Sequence, residues 1–345
     1  MSDTLERALA LHFHPHRGSP YWLDRAAELG FDPRTRIASL ADLDLLGPFD
    51  LAVLGTRPYT DFVPRDIVAG TPLVLAETGG TTGAPRLTAY TEDEFEAAFV
   101  TPFFDCVSDA ATFNGGHWLW LGPSGPHVIG RAAQRIARLS TARDALSVDF
   151  DPRWFRRLAP GSMARERYLE HVVEQALRLV HGQDVRYLFT TPVVLERLLG
   201  RIDAREREAV RFVYLGGMAI AAETLATLAA ALPAADFLCG YGNTLFGVCH
   251  EACAMRPAAG PRHYYPHGDR IAVRIVRPGT TTPAAPGERG QVAMTRCDLS
   301  MLLPGVLERD HALAVEAPGL PGRGAGLADP RPPATQSVHI DNGIY

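Results

Sequence analysis

The chain has 345 residues, 46% hydrophobic and 21% charged, with a net charge of −5. This is the composition of a globular protein of two or three domains, or one large layered domain, with ample core. The acidic balance gives no reason to expect nucleic acid, and no uninterrupted apolar stretch is long enough to span a bilayer.

The opening Met-Ser-Asp-Thr-Leu-Glu-Arg lacks the basic and apolar regions of a secretory leader, so a cytoplasmic protein is expected. Five cysteines, an odd number, argue against a disulfide scaffold. All 34 basic residues are arginine, so any mechanism needing a lysine from this chain is excluded.

Residues 1–70 read as helical pieces joined by turns, with Leu5, Leu9 and Leu11 as early apolar positions. His12, His14 and His16 alternate, and an extended segment would set them on one side. Metal binding and a solvated surface run both remain open there, the surface run being preferred. The apolar run 72–76 then breaks into Thr78-Gly79-Gly80-Thr81-Thr82-Gly83-Ala84-Pro85-Arg86, a buried strand opening onto a flexible loop. Its glycines let backbone approach a ligand closely, and their N–H groups suit phosphate oxygens. The hydroxyls of Thr78, Thr81 and Thr82 add uncharged donors, and Arg86 adds a planar cation. No Gly-Lys-Ser/Thr closes the loop, so it is not a Walker A sequence; an ordinary Gly/Thr hairpin is the competing reading.

Further along, Thr91 reads as the cap of an acidic helical turn, Glu92-Asp93-Glu94. Trp118-Leu119-Trp120-Leu121 is a short apolar strand running into a Gly/Pro loop that ends at His127. Residues 163–180 carry the stripe of an amphipathic helix. Residues 186–190, 212–215 and 237–240 are buried strands, with an Ala-rich helix at 223–232 between the last two. The predicted class is therefore α/β, with mostly parallel strands and helices in layers. From about 265 the texture changes. Strands at 271–276 and 291–295 flank a turn at 286–290, predicting a smaller antiparallel β subdomain. The expected domains are a helical N-terminal segment 1–70, an α/β core 71–264, a small β subdomain 265–316 and a Gly/Pro-rich tail 317–345.

The loop 78–86 resembles, at every position, the phosphate loop of the adenylate-forming superfamily, Ser/Thr-Ser/Gly-Gly-Ser/Thr-Thr-Gly-x-Pro-Lys/Arg. Other stretches follow in that superfamily's order and resemble its phenylacetate–coenzyme A ligase branch. These are Gly18-Ser19-Pro20-Tyr21, residues 37–43, Leu215-Gly216-Gly217-Met218, Gly240-Tyr241-Gly242-Asn243-Thr244, residues 287–291, Leu303-Pro304 and Arg309-Asp310. The resemblance implies the layered N-terminal domain of an adenylate-forming enzyme. It also implies that a carboxylate attacks the α-phosphate of ATP, with Mg²⁺, giving an acyl-adenylate and pyrophosphate before a second nucleophile releases AMP. It places the nucleotide at Thr78, Gly79, Gly80, Thr81, Thr82, Gly83, Arg86, Gly216, Gly217, Met218, Tyr241, Gly242, Asn243, Thr244 and Asp310. Within that set Tyr241 offers a face to adenine, Thr244 a phosphate contact and Asp310 a ribose contact. Arg86, Thr82 and His127 carry the catalytic expectation. Trp118, His127, Gly216 and Gly240 line the acyl pocket; Trp120 and Phe113 are further aryl-pocket candidates, with core packing preferred for any one of these three aromatics.

Several features depart from the family pattern. Met218 stands where a glutamate is usual, and Leu245 stands where a glutamate helps hold Mg²⁺. The family's C-terminal lid, with its adenylation lysine, is not expected in this chain; Arg86 or Arg323 is the candidate stand-in charge, and a separate lid-bearing protein a candidate partner. Cys249, Cys253, His263, His267 and Cys297 resemble a structural zinc placement found in some members of the branch. The expected function is ATP-dependent adenylation of a small carboxylic acid, an aromatic one being preferred, with transfer to an amine, thiol or carrier protein in specialised biosynthesis. Two other readings stand beside it: a nucleotide-binding protein without turnover, and activation of an inorganic oxyanion such as nitrite for N–N bond formation.

Overall fold

The computed structural model describes residues 2–78, 85–107, 113–125, 127–217, 220–253 and 260–333. Its elements begin and end on local signals. Helix α1 (Asp3–His12) starts under Ser2, whose hydroxyl accepts from the Leu5 N–H; α2 (Pro20–Leu29) opens on proline and stops at Gly30 in the left-handed region. Strands β1 (Leu73–Glu77) and β2 (Leu87–Thr91) pair antiparallel, Leu73 against Thr91. Thr91 then closes a full capping box with Glu94, as the acidic turn predicts.

Strand and helix alternate from there: β3 (His117–Gly122), α3 (Val128–Thr141), β4 (Leu146–Asp149), α4 (Met163–Gly182), β5 (Val185–Thr190), α5 (Pro192–Leu199), β6 (Phe212–Leu215), α6 (Ala222–Ala231) and β7 (Asp236–Asn243). Then come β8 (Gly247–His250), β9 (Ile271–Val276), β10 (Arg289–Cys297), β11 (Leu302–Val315) and β12 (Gly326–Arg331). Contacts divide the chain into two units that interleave in sequence. One holds Met1–Ala98, Asn243–Gly247 and Tyr265–Pro333; the other holds Phe99–Gly242 and Val248–Tyr264.

The second unit is built on a six-stranded sheet in the order β4-β3-β5-β6-β7-β8, in which β4, β3, β5, β6 and β7 run parallel. Its central strands are apolar almost throughout because helices cover both faces of a parallel sheet. Residues two apart share a face, so the register sets two aromatic rows across it. Trp118, Tyr187 and Phe212 form the first; Trp120, Phe189 and Tyr214 form the second, nearer the carboxyl ends. Phe103 and Phe113 pack on the first row, with ring centroids 5.8 and 5.5 Å from Trp118.

The first unit carries the hairpin β1–β2 and an antiparallel sheet in which β9, β10, β11 and β12 lie side by side. Residues 317–334, read as irregular from their Gly and Pro, therefore include a strand: β12 pairs Leu327 with Ala314. Pairing with β11 satisfies backbone groups that composition alone assigns to a loop.

A buried ionic group ties this unit together. Asp298, 2% exposed on its side chain, bridges Arg270 and Arg296, and Arg296 lies over the Tyr90 ring at 3.7 Å. His12 joins them through Ser19 Oγ and the Asp298 carbonyl, at 2.5 and 2.9 Å. This corrects the surface reading of the histidine run: α1 buries His12 completely, and burial lowers its pKa to about 4, so it is neutral in the fold. His14 and His16 remain nearer the surface.

Candidate functional site

In the first unit the segment after β7 is held by its backbone. Tyr90 Oη donates to the Thr244 carbonyl at 2.8 Å, Arg296 to the Leu245 carbonyl at 3.0 Å, and Arg270 to the Phe246 carbonyl at 2.7 Å. Three successive carbonyls are thus taken by three side chains of the buried core. These bonds fix the path of residues 244–246 through their backbone carbonyls. Leu245 is itself 3% exposed and apolar, so it offers a metal nothing.

Beside that segment stand two carboxylates of β11, Glu308 and Asp310, where the strand's register against β10 shifts between Leu307 and His311. Asn243 Nδ2 donates to Glu308 Oε1 at 2.7 Å, while its Oδ1 accepts from the Leu245 N–H at 2.9 Å, so the amide is fixed at both ends. Burial pushes the Glu308 carboxyl up to about 7; the Asn243 amide lowers it, Asp310 raises it, and the Arg309 and Arg86 charges lower it again. Asp310 is 4% exposed, with Arg309 Nε at 3.4 Å. Sequence reasoning misses Glu308, because its partner Asn243 lies 65 residues away and the strand is irregular at that point.

The flanks of the phosphate-loop sequence clasp one another. Thr78 N–H donates to the Arg86 carbonyl at 2.9 Å, and Arg86 N–H donates to Thr78 Oγ1 at 3.0 Å. The tip, Gly79, Gly80, Thr81, Thr82 and Gly83, lies outside the described residues, as does Met218. Within the first unit, then, Arg86, Asn243 and Asp310 converge on Glu308.

In the second unit the expected residues sit at the carboxyl ends of the parallel strands. Gly216 and Gly217 follow β6, Gly217 with φ of +76°, and a Cβ on Gly216 would stand 3.6 Å from the Phe189 ring. Gly240 lies in β7 against Tyr214, whose hydroxyl would be 3.1 Å from an added Cβ. Tyr241 is half-buried, its ring 6.1 Å from that of Tyr264. His127 is the residue before α3 and is buried. Trp118 is 2% exposed in the first aromatic row, its Nε1 donating to Ser140 Oγ at 2.8 Å. Trp120, in the second row, is the tryptophan nearer the carboxyl ends of the strands.

The zinc expectation is corrected. Among the described residues no three His, Cys, Asp or Glu side chains gather to hold a metal ion. Cys249 and Cys297 are fully buried inside strands, and burial pushes the Cys297 thiol up to about 12; Cys253 and His263 join no such group. Where the placement of Cys and His resembles a ligand set, β8 and β10 use their cysteines as small apolar side chains. Glu251 is the acidic group packed among the thiols of the second unit: it accepts from the Cys239 N–H at 2.9 Å and pairs with Arg262 at 2.8 Å.

No protein-family model and no curated protein matches the sequence. Solved structures do match. A 2-hydroxyisobutyryl-CoA ligase in an open conformation, in complex with 2-HIB-AMP and CoA, superposes over 96% of this chain and 72% of that one, with 16% identity and a TM-score of 0.63. The same enzyme in its thioesterification state matches over 94% of this chain and 65% of that one, with 15% identity and a TM-score of 0.61. In a postadenylation state with R3-HIB-AMP it matches with 13% identity and a TM-score of 0.52. The chain therefore has the fold of the N-terminal domain of adenylate-forming enzymes, as its motifs led us to expect.

Proposed function

We propose that this protein is an adenylate-forming ligase of the phenylacetate–coenzyme A ligase type. It joins a small carboxylic acid to the α-phosphate of ATP, releases pyrophosphate, and passes the acyl group to an amine, thiol or carrier protein in specialised biosynthesis. The observation that carries this reading is the clamped 243–246 backbone, set beside Asp310 and within the electrostatic reach of Arg86 on the flank of the phosphate-loop sequence. Asp310 suits the ribose hydroxyls as an acceptor, Thr78 and the Thr81 and Thr82 hydroxyls suit phosphate oxygens, and Arg86 brings the cation.

The residues present do not fit a protein-built magnesium site, since Leu245 is apolar and buried and no group of three ligands gathers among the described residues. Mg²⁺ is expected to arrive on the triphosphate. With no lysine in the chain, Arg86 supplies the positive charge opposite the phosphates, and its planar fork favours two oxygens at once.

Carboxylate-dependent ATP–pyrophosphate exchange, run with Mg²⁺ across small aliphatic and aryl acids, tests this. At least one acid is expected to give exchange, and Thr81→Ala and Thr82→Ala are each expected to lose it. The same Leu245 and lysine observations favour a second reading, a nucleotide-binding protein without turnover. ATP binding with silence across the whole panel selects that second reading.

A further inference from the structure

We propose that the acid is a small polar oxyacid, held through its oxygen atoms in the crevice at the carboxyl ends of β3 and β5. The inference rests on the adenylation reading and names the substrate class for it. In the sheet order β4-β3-β5-β6-β7-β8, β3 connects through α3 to β4 on one side, and β5 connects through α5 to β6 on the other. Adjacent parallel strands whose connections depart in opposite directions leave a crevice outside their carboxyl ends, and ligands of open α/β sheets bind there.

Two helix starts border that crevice. Helices α3 and α5 follow His127 and Thr191, and neither residue makes a side-chain capping bond. Such starts present unsatisfied N–H groups and partial positive charge. Thr190 Oγ1 donates to the Leu121 carbonyl at 3.2 Å, which keeps the ends of β3 and β5 level with each other. Asp149, at the end of β4, is the carboxylate on the same edge, and its Oδ1 accepts from the Ser124 N–H at 2.8 Å.

Helix starts alone are generic; the second aromatic row makes this one particular. Trp120 is 6% exposed, and its Nε1–H has no hydrogen-bond partner among the described residues. Nε1 lies 3.6 Å from where a Cβ on Gly130 would stand, in the first turn of α3, so the unmatched donor faces the helix start. Thr191 Oγ1, at the start of α5, is a second buried atom with no partner among the described residues. Buried donors left unmatched are rare and call for an acceptor, which an oxyacid brings.

The second aromatic row is closely packed. The rings of Trp120 and Phe189 are 4.6 Å apart and those of Phe189 and Tyr214 4.0 Å apart. Tyr214 Oη is tied to His250 Nε2 at 2.7 Å, which holds the end of the row. A 2-hydroxy, 2-oxo or dicarboxylic acid of a few carbons brings the oxygen acceptors that the unmatched donors call for, and a site built to bond oxygen rejects an analogue lacking it.

The test uses the full chain labelled with ¹⁵N. Its four tryptophans give four indole resonances, and Trp120→Phe, which keeps an aromatic ring and removes the N–H, assigns one of them. Lactate, pyruvate, succinate and benzoate are titrated in turn. The Trp120 resonance is expected to move saturably with at least one of the first three and to stay still with benzoate. In the exchange assay Trp120→Phe and Thr191→Val are each expected to raise the KM of that acid about threefold to tenfold, with the Kd for ATP unchanged. Should Trp120→Phe fail to fold, Thr191→Val carries the KM readout. A Trp120 resonance that ignores all three oxyacids, or follows benzoate as closely, overturns the oxyacid subsite even where an aryl acid supports exchange. A resonance that moves with an oxyacid while no acid supports exchange keeps the subsite and overturns the adenylation reading.

Discussion

Glu308→Gln separates what burial does to this carboxyl from what its neighbours do. In the fold the group titrates near 7, against an ordinary value of 4.5, chiefly because burial disfavours its charge. A raised carboxyl pKa means that the folded state holds a proton which the unfolded chain has already released. Stability therefore falls as pH rises from 4.5 towards 7, and stays lower above that. At about 1.4 kcal/mol per pH unit between those values, the ionised group costs up to about 3 kcal/mol at pH 8.5. Glutamine keeps an oxygen for Asn243 Nδ2 and carries no charge, so the variant is expected to be more stable than the parent at pH 8.5 by up to that amount. The advantage is expected to fade towards pH 4.5. Urea unfolding at pH 5 and pH 8.5, followed by tryptophan fluorescence, gives the two differences. Equal differences at the two pH values, or a variant less stable at pH 8.5, would refute the reasoning.

Two further outcomes follow from the buried polar groups. Asp298→Ala leaves Arg270 and Arg296 buried without their carboxylate, and is expected to lower stability by about 3–5 kcal/mol, read from urea midpoints; a loss below 1 kcal/mol would mean that the bridge is solvated. Of the five thiols, Cys253 alone is partly exposed, and burial raises the pKa of Cys239 and Cys297. A thiol-reactive disulfide reagent is accordingly expected to label one cysteine quickly in the native protein and the other four only on unfolding, with the fast phase gone in Cys253→Ser. Two fast thiols in the native chain would contradict the burial.

Much of the fold was legible because its signals are local. The capping box at Thr91 and Glu94, the apolar runs of β5 and β6 and the amphipathic stripe of α4 each specify an element within a few residues. The alternation of those runs with helices is itself the mark of a parallel sheet. What escaped were roles set by partners distant in sequence. His12 sits in a run of alternating histidines that reads as surface, yet it meets the Asp298 carbonyl 286 residues later. The strand at 326–331 looks like linker until β11 pairs with it. Trp118 and Trp120 are alike in sequence, and only the register against Tyr187 and Phe189 puts one in the core row and the other at the edge.

The sequence by itself determined the α/β class, the order of its Gly-rich motifs and the absence of any lysine, because composition, spacing and local backbone preference are properties of the chain. The tertiary structure decided which side chains share a surface. It placed Glu308 against Asn243, buried Cys249 and Cys297 inside strands, and left the indole N–H of Trp120 beside a helix start with no partner among the described residues. Each depends on strand register and on which strands are neighbours, and these are set by burying the whole core at once.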